Sequence, residues 1–317
     1  MRSKQALLAL LVLALFGCST ARKAPQPREP APAHSPLVLA PPAPEVQGPP
    51  EEFGPQAPEG LPQPQPSTDT QLVSGPMPLE QKKIVLVLSP GMARGFAHVG
   101  ALKALVKSKI PVAAVLTSEI GSVFGSIYAI NGNANRLEWA LAQMKDSSFI
   151  NDSTLLPSGM KKQSSAERLR KALEKVLGQK NIQSAKIPLR VSVEDAKSGA
   201  DLLLDRGDAV MAVQGAMAAP EYYPSVQFGD REVISAKKAR PYLVREARNL
   251  NLGPVVVIDT AEEQTDRREL GDANVVIKPD LQGIGALDFG KRNDASFRGQ
   301  KAMLEKIDDI KKMLGGT

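Results

Sequence analysis

The chain has 317 residues, of which 42% are hydrophobic, and it carries a formal net charge of +6 at neutral pH. One cysteine and two histidines exclude a disulfide within the chain and leave no thiolate or imidazole ligand set for a metal ion. The basic residues are spread along helical stretches without interleaved aromatic residues. This is the pattern of solvated surfaces and argues against a nucleic-acid partner.

The N-terminus has the pattern of a targeting segment. Two basic residues precede an apolar run from Ala6 to Phe16, and Cys18 follows. This predicts a signal peptide over residues 1–17, with Cys18 as the lipidated residue. An ordinary secretory signal and an uncleaved anchor are the alternatives. Acyl chains on Cys18 would hold the protein on a membrane, so we expect a lipid-anchored protein of the cell envelope. Ser19 favours the outer membrane, facing the periplasm, in a cell with two membranes.

A proline-rich stretch separates this segment from the rest of the chain. Of the 26 prolines, 17 fall between Pro25 and Pro78, where apolar periodicity is almost absent. Such a stretch cannot bury enough apolar surface to offset the loss of chain entropy. We therefore predict a disordered linker over residues 18–81 and a single domain over residues 82–317, which is long enough to bury one core.

Short apolar runs alternate with helical patterns through the domain. The runs resemble strands that are buried on both faces. Ser164 and Glu167 form a candidate capping box, and Gly178 is a candidate helix stop. The alternation predicts an α/β fold whose central, mostly parallel sheet is flanked by helices. The predicted strands are Ile84–Leu88, Val112–Leu116, Pro188–Val193, Pro254–Asp259 and Asn274–Lys278, and the predicted helices are Phe96–Lys107, Gly121–Ile130, Ala134–Lys145, Ala166–Leu177, Tyr242–Asn249 and Asp294–Leu314.

Two motifs follow the first two predicted strands. The first strand leads into SPGMARG at residues 89–95, and the second leads into TSEIG at residues 117–121. Their order resembles the patatin-like phospholipase family, which has a Gly-Gly-Gly-x-Arg-Gly loop followed by a Gly-x-Ser-x-Gly elbow. Further similar segments are AMAAP at residues 216–220 and VIKPD at residues 276–280, and together the matches extend roughly from Lys82 to Leu314. The retained loop residues are Gly91, Arg94 and Gly95, and the retained elbow context is Thr117, Ser118 and Gly121.

The resemblance implies a three-layer hydrolase fold that cleaves lipid acyl esters with a Ser-Asp dyad and no cofactor or metal. At the third elbow position, however, Glu119 stands where the family has its nucleophilic serine. A carboxylate cannot form the acyl ester that serine forms. Ser118 is one residue early and, by the alternation of side chains along a strand, points elsewhere. The family's helix after the loop contains His98 here, for which we expect a packing or capping role.

The other two parts of the family's mechanism are also altered. Ser235 occupies the position that corresponds to the catalytic aspartate. Asp230 fits a hairpin turn, although Asp230 or Glu232 could substitute as the base if the alignment is shifted there. In the loop, Pro90 has no N–H group and Met92 adds a side chain, which predicts a damaged oxyanion hole.

These changes favour a catalytically inactive patatin-like protein that acts by binding a lipid or acyl chain, or an envelope protein. An active acyl hydrolase with a rearranged site is one alternative. A nucleotide-binding α/β domain is another, suggested by Gly91, Gly95 and Gly100 with Glu119 after the next strand, although this glycine spacing is wrong for the dinucleotide motif.

Glu119 also has a predicted place in the structure. The elbow position lies at a helix N-terminus, and in the family the loop arginine, here Arg94, is close to it. Both features favour an ionised carboxylate. We therefore predict that Glu119 pairs with Arg94 or with the backbone amides of residues 91–95, and fills the oxyanion region in place of a substrate anion.

Overall fold

The structure, a computed structural model, describes residues 82–149, 158–262 and 270–315. The predicted signal peptide, the lipidation site Cys18 and the predicted linker lie outside the described residues. Within the described ranges, no helix is both long enough and apolar enough to cross a bilayer.

A mixed sheet forms the centre of the domain, as the sequence predicts. Five strands run parallel in the spatial order β3-β2-β1-β7-β8. The antiparallel strands β4 and β6 pair with β3, and β5 pairs with β6. The strands are β1 Ile84–Leu88, β2 Val112–Ser118, β3 Leu189–Asp195, β4 Asp201–Leu204, β5 Val226–Phe228, β6 Arg231–Ile234, β7 Val255–Ile258 and β8 Val275–Ile277.

Helices cover both faces of this sheet and complete a three-layer α/β architecture. One face packs against α6, and the other packs against the remaining core helices around α1, α2 and α5. Residues of β1 alternate between these two cores, as expected for a strand that is buried on both faces. The helices are α1 Ala97–Lys107, α2 Glu119–Asn131, α3 Asn135–Gln143, α4 Ser158–Leu177, α5 Ala209–Met217, α6 Ala239–Asn249, α7 Arg292–Leu304 and α8 Ile307–Met313.

The structure corrects two of the predicted helices. Helix α4 runs through position 164 from an earlier start, so Ser164 is not its N-cap, whereas Gly178 ends it with a left-handed φ of 66° as predicted. The predicted last helix, Asp294–Leu314, is two helices. The break between α7 and α8 allows Met303, Ile307 and Ile310 to be buried together, while Phe297 stays 67% exposed.

Four elements are not among the predicted ones, namely β4, the hairpin strands β5 and β6, and α5. Strand β4 is half-buried along its whole length, so its sequence lacks the apolar run of a central strand. Helix α5 begins at an N-cap, Asp208, whose carboxylate accepts a hydrogen bond from the backbone N–H of Met211. This cap is a local sequence signal that identifies the start of α5.

Helices α1 and α7 are in close contact, and each helix contributes one glycine to the contact. A Cβ atom at Gly100 would lie 1.8 Å from the carbonyl oxygen of Ser296, and one at Gly299 would lie 1.9 Å from that of Ala97. Neither approach leaves room for a methyl group, because both obstacles are backbone atoms. Since α1 starts in the loop after β1, this contact also fixes the direction in which that loop leaves the sheet.

We predict that Gly100→Ala destabilises the domain by about 1–3 kcal/mol or more, because overpacking a core usually costs this much. The measurement is the free energy of unfolding in urea. Gly290→Ala is the matched control, because a Cβ there would have no atom closer than 3.7 Å and the backbone φ is not left-handed. A Gly100→Ala variant that is as stable as the Gly290→Ala variant would contradict the close approach of the helices.

Candidate functional site

The residues of both motifs meet at the carboxyl edge of the parallel strands. The loop after β1 begins at Ser89, and the elbow after β2 is Glu119. The chain after β7 continues through Asp259 and Thr260, which are buried at the same edge. In open α/β sheets this edge is where ligands usually bind.

The elbow has the sharp turn that the sequence predicts. Ser118 is still extended, with φ −140° and ψ 151°, and Glu119 then adopts a left-handed φ of 45° before α2 continues. A residue with a Cβ atom is strained in this conformation by roughly 1 kcal/mol. Gly121 permits the tight geometry, because a Cβ there would lie 2.8 Å from the carbonyl oxygen of Leu88.

The carboxylate of Glu119 binds the loop after β1. Its Oε2 atom accepts hydrogen bonds from the backbone N–H of Gly91 at 2.6 Å and from that of Met92 at 3.2 Å. The predicted contact with the loop amides is therefore confirmed. The loop presents two convergent donors, so the missing N–H of Pro90 does not deprive this carboxylate of a partner. Met92 reaches this geometry with a left-handed φ of 47°.

Arg94, the alternative partner in the prediction for Glu119, binds elsewhere. The guanidinium of Arg94 donates instead to backbone carbonyl oxygens, at 3.0 Å to Thr260, 3.1 Å to Leu281 and 2.9 Å to Ile284. Arg94 thereby ties the loop after β1 to the segments that follow β7 and β8. Its donors serve the scaffold and not an anion. No sequence pattern indicates these contacts, because the acceptors are backbone atoms far along the chain.

The pKa of Glu119 shifts in the direction opposite to the one expected. Burial raises the pKa of this carboxyl group above its ordinary value, and hydrogen bonds from the amides of Gly91, Met92 and Ile120 offset only part of that shift. Desolvation therefore outweighs the helix N-terminus on which the prediction depended. Burial also raises the pKa of Tyr223, and the nearby charge of Glu119 raises it further.

A cluster of buried polar groups holds the start of the loop after β1 in place. The Oγ of Ser89 accepts a hydrogen bond from the backbone N–H of Thr260 at 2.7 Å, and the Thr260 hydroxyl donates to the carbonyl of Pro90 at 3.0 Å. The Nε2 of His98 lies 2.9 Å from the Ser89 carbonyl oxygen. Burial lowers the pKa of His98 to about 4. His98 is thus a neutral packed residue, as expected, while Thr260 was not anticipated from the sequence.

The neighbouring hydroxyl residues of the elbow are turned away from the loop amides. The Oγ of Ser118 donates to the Leu88 carbonyl at 3.4 Å, and the Oγ1 of Thr117 donates to the Arg190 carbonyl at 3.2 Å. Both side chains are buried. As the alternation of side chains predicts, Ser118 is not placed where a nucleophile would have to be.

Strand pairing places Ser235 beside the elbow. Val191 of β3 pairs with Thr117 of β2 on one edge and with Leu204 of β4 on the other. Glu194 pairs with β4 and with Ile234 of β6, so β6 lies on the same edge of β3 as β2, just beyond the end of β2. Ser235 is the next residue. The alignment of Ser235 with the family's aspartate stays a prediction.

The two candidate substitute bases lie on the hairpin of β5 and β6. Asp230 is exposed in the turn between these strands, as its sequence context predicts. Glu232 is exposed on β6 and accepts a hydrogen bond from the hydroxyl of Ser225. Neither carboxylate belongs to the buried surroundings of Glu119.

Aromatic side chains fill the core next to the elbow. The ring of Phe96, which follows the loop, lies 5.1 Å from that of Phe124 on α2 and 5.6 Å from that of Phe149. Phe149 stacks on Phe289 at 4.8 Å, and its carbonyl accepts a hydrogen bond from the hydroxyl of Tyr223. This cluster comes from distant parts of the chain and has no signature in the sequence.

The chemistry available at this edge is limited by these placements. In the part of the chain that the structure describes, no serine beside the elbow hydrogen-bonds to a carboxylate, and no group of three or more His, Cys, Asp or Glu side chains is arranged to hold a metal ion. What remains is an anion-binding pair of amides occupied by a carboxylate of the same chain.

Comparison with known proteins gives a consistent family assignment. The family model described as patatin-like phospholipase matches residues 86–242, which include the loop, the elbow and Ser235. The chain is 28% identical over 198 residues to patatin-like phospholipase domain-containing protein 6 of Homo sapiens, covering 60% of this chain and 14% of that protein. It is 24% identical over 139 residues to an uncharacterized NTE family protein of Mycobacterium tuberculosis, covering 44% of this chain and 38% of that protein.

The matched regions thus span well under half the length of these curated relatives. Among solved structures, VipD from Legionella pneumophila aligns with a TM-score of 0.46 and 11% identity over 72% of this chain and 67% of that chain. The loop and the elbow both lie inside the region that the family model matches, and they occupy the carboxyl edge of a mostly parallel sheet. The chain belongs to the patatin-like phospholipase family.

Proposed function

We propose that this protein is a lipid-anchored patatin-like protein of the cell envelope that does not hydrolyse acyl esters and acts by binding. The observation that carries this proposal is the occupation of the Gly91 and Met92 amides by the carboxylate of Glu119. Backbone donors of this kind stabilise the oxyanion in acyl transfer. Here the group that should attack the ester is replaced by one that occupies the place of the oxyanion.

The alternative of an active hydrolase with a rearranged site requires a serine close to a carboxylate in the cleft. The described residues include two serine–carboxylate pairs at other places. Ser198 donates to Asp195 at 2.9 Å within the turn between β3 and β4, where the same carboxylate also caps backbone amides. Ser225 and Glu232 pair on the exposed hairpin. Both pairs serve local turns, and neither includes a serine of the elbow, which supports the inactive assignment.

The partner of an inactive member is a lipid or acyl chain at the membrane, or an envelope protein. The family resemblance favours the first, because patatin-like enzymes accommodate acyl chains. The aromatic cluster beside the elbow favours an envelope protein. The rings of Phe149 and Phe289 stack on each other and leave no space for an acyl chain between them. Mass spectrometry of lipids that co-purify with the protein distinguishes the two.

The purified protein should not hydrolyse p-nitrophenyl esters or phospholipids above a buffer control, and a fluorophosphonate probe should not label it. The single variant Glu119→Ser should also remain unlabelled, because Ser235 supplies no carboxylate base. The double variant Glu119→Ser with Ser235→Asp is the informative comparison, since labelling there alone would assign the lost activity to these two positions. Stoichiometric labelling of the unmodified protein at any serine would refute the proposal.

Removing the carboxylate should lower stability. In Glu119→Ala the amides of Gly91 and Met92 lose their acceptor, which costs on the order of 1–3 kcal/mol for a buried group. Glu119→Gly removes the same carboxylate but relieves the left-handed strain, so we expect it to be more stable than the alanine variant by about 1 kcal/mol. Thermal melts of the three proteins check this order. An alanine variant as stable as the unmodified protein would show that the contact contributes nothing.

Because burial raises the pKa of Glu119, the folded state holds this proton more tightly than the unfolded state does. The stability that protonated Glu119 contributes is then fully present below the ordinary pKa of 4.5 and is lost as the pH rises through the higher folded-state pKa. Relative to Glu119→Gln, whose side chain does not titrate, the unmodified protein should therefore lose free energy of unfolding as the pH rises across this window. Urea denaturation of both proteins at a series of pH values measures this change. If the unmodified protein instead gains free energy of unfolding relative to Glu119→Gln as the pH rises, the assigned pKa shift has the wrong sign.

Cys18→Ala should release the protein from membranes or leave it as an unprocessed precursor, because the acyl anchor cannot form. Fractionation of cells, with immunodetection of the protein, gives the result. Ser19→Ala is the control and should stay with the membrane fraction. If Cys18→Ala remains membrane-bound at its mature size, the protein is held by something other than acylation.

A further inference from the structure

The opposite edge of the sheet carries a group of exposed lysines, which we name the lysine face. It lies where β1 and β2 begin, at the far end of these strands from Glu119. Helices α1 and α8 end at the same edge. The members of the lysine face are Lys82, Lys83, Lys107, Lys109, Lys311 and Lys312, and all six are exposed.

Strand register brings these residues together. Ile84 pairs with Val112, and its N–H donates to the Pro111 carbonyl at 3.0 Å, so the chain before β1 lies beside the turn that connects α1 to β2. Lys82, Lys109 and Lys311 line one shallow pocket of about 340 Å³. Three separate segments of the chain thus contribute ammonium groups to one surface.

These lysines are not compensated by nearby acidic side chains. None of the six forms an ion pair with another residue of the described ranges, whereas Lys103, Lys291 and Lys306 each do. The acidic residues of α8 lie in its first turn, and its lysines lie in its last turn. The positive charge of the face is therefore exposed to solvent and available to an external anion.

Helix ends explain only part of the lysine face. A cation near the C-terminus of a helix is stabilised by the helix dipole, which accounts for Lys107, Lys311 and Lys312. Lys82 and Lys83 precede a strand. Lys109 has a left-handed φ of 57°, a conformation that favours glycine or asparagine over a long side chain. Its presence there places a further charge on the face at a conformational cost.

We propose that the lysine face docks the domain onto the surface of an anionic phospholipid bilayer, the one that holds the Cys18 anchor. The choice of bilayer rests on the anchored location in the proposed function. The chain that leads from Cys18 joins the domain at Lys82, inside the face itself. Each lysine close to an anionic bilayer strengthens association about fivefold, so six of them favour the docked orientation of a domain that is already tethered.

Docking by this face fixes the direction of the former active site. Strands rise about 3.3 Å per residue, so β2, with seven residues, separates the lysine face from the elbow by roughly 20 Å. Glu119 and its loop then point away from the anchoring bilayer. The edge that holds the occupied amides is presented to a partner across the aqueous compartment, and not to the lipids beneath the domain.

The test uses the full acylated protein in phosphatidylcholine vesicles with and without phosphatidylglycerol. An amine-reactive reagent, read out by peptide mass spectrometry, reports the accessibility of each lysine. We expect several-fold slower modification of Lys82, Lys107 and Lys312 when phosphatidylglycerol is present, and a return to the faster rate at high salt. Lys238 and Lys278 are the control sites, because both are exposed, neither forms an ion pair with a described residue, and both lie near the carboxyl edge of the sheet.

Two matched double variants separate the charge of the face from total charge. In the double variant Lys107→Gln with Lys312→Gln, the vesicles should stop protecting Lys82 from modification at a lower salt concentration. In the double variant Lys238→Gln with Lys278→Gln, the protection of Lys82 should be unchanged. Equal rates in the two kinds of vesicle, or equal protection of Lys238 and Lys278, would overturn the proposal. Protection by inorganic phosphate without vesicles would identify a small-anion site and also overturn it.

Flotation with pure phosphatidylcholine vesicles reports the acyl anchor separately. If the protein fails to float with them, the anchored location is wrong. Flotation only with vesicles that contain phosphatidylglycerol would then support docking by the charge of the lysine face without an acyl anchor.

Discussion

The contact between the Glu119 carboxylate and the amides of Gly91 and Met92 joins the two turns that leave the carboxyl ends of β1 and β2. Both turns contain a left-handed residue that is not glycine. Such strained residues persist only when their surroundings over-determine them. The carboxylate supplies that constraint, because it satisfies donors that would otherwise be buried without an acceptor.

The remaining support for these turns comes from the scaffold and does not depend on catalysis. Arg94 uses its donors on carbonyl groups of two other segments, and Thr260 holds Ser89 and Pro90 in place. The loop after β1 is thus held by contacts that need no substrate. Its geometry therefore does not require a serine at position 119.

Much of the fold could be predicted from the sequence, because buried parallel strands are short apolar runs and the helices between them are punctuated locally. The elbow could be placed at Glu119 because its neighbours Gly121 and Gly125 fix the spacing. The partners of Glu119 could be narrowed only to Arg94 or the amides. Arg94 offers a charge at short sequence distance, but its actual acceptors are carbonyl groups that no sequence pattern marks. The direction of the pKa shift of Glu119 was not predicted for a related reason. The burial of this carboxyl group depends on residues far along the chain, and Tyr223 is near it.

The ties that Arg94 makes to Leu281 and Ile284 join residues 187 and 190 positions apart. The glycine contact between α1 and α7 spans a similar separation, and β1 pairs with β7 across most of the domain. Contacts of such high sequence separation form late and slow the folding rate. The loop after β1 therefore cannot reach its final shape until β7, the segment after β8 and α7 are in place. A chain in which α7 has not yet docked exposes the apolar face of α1, and a partly folded domain with such a surface is prone to aggregate.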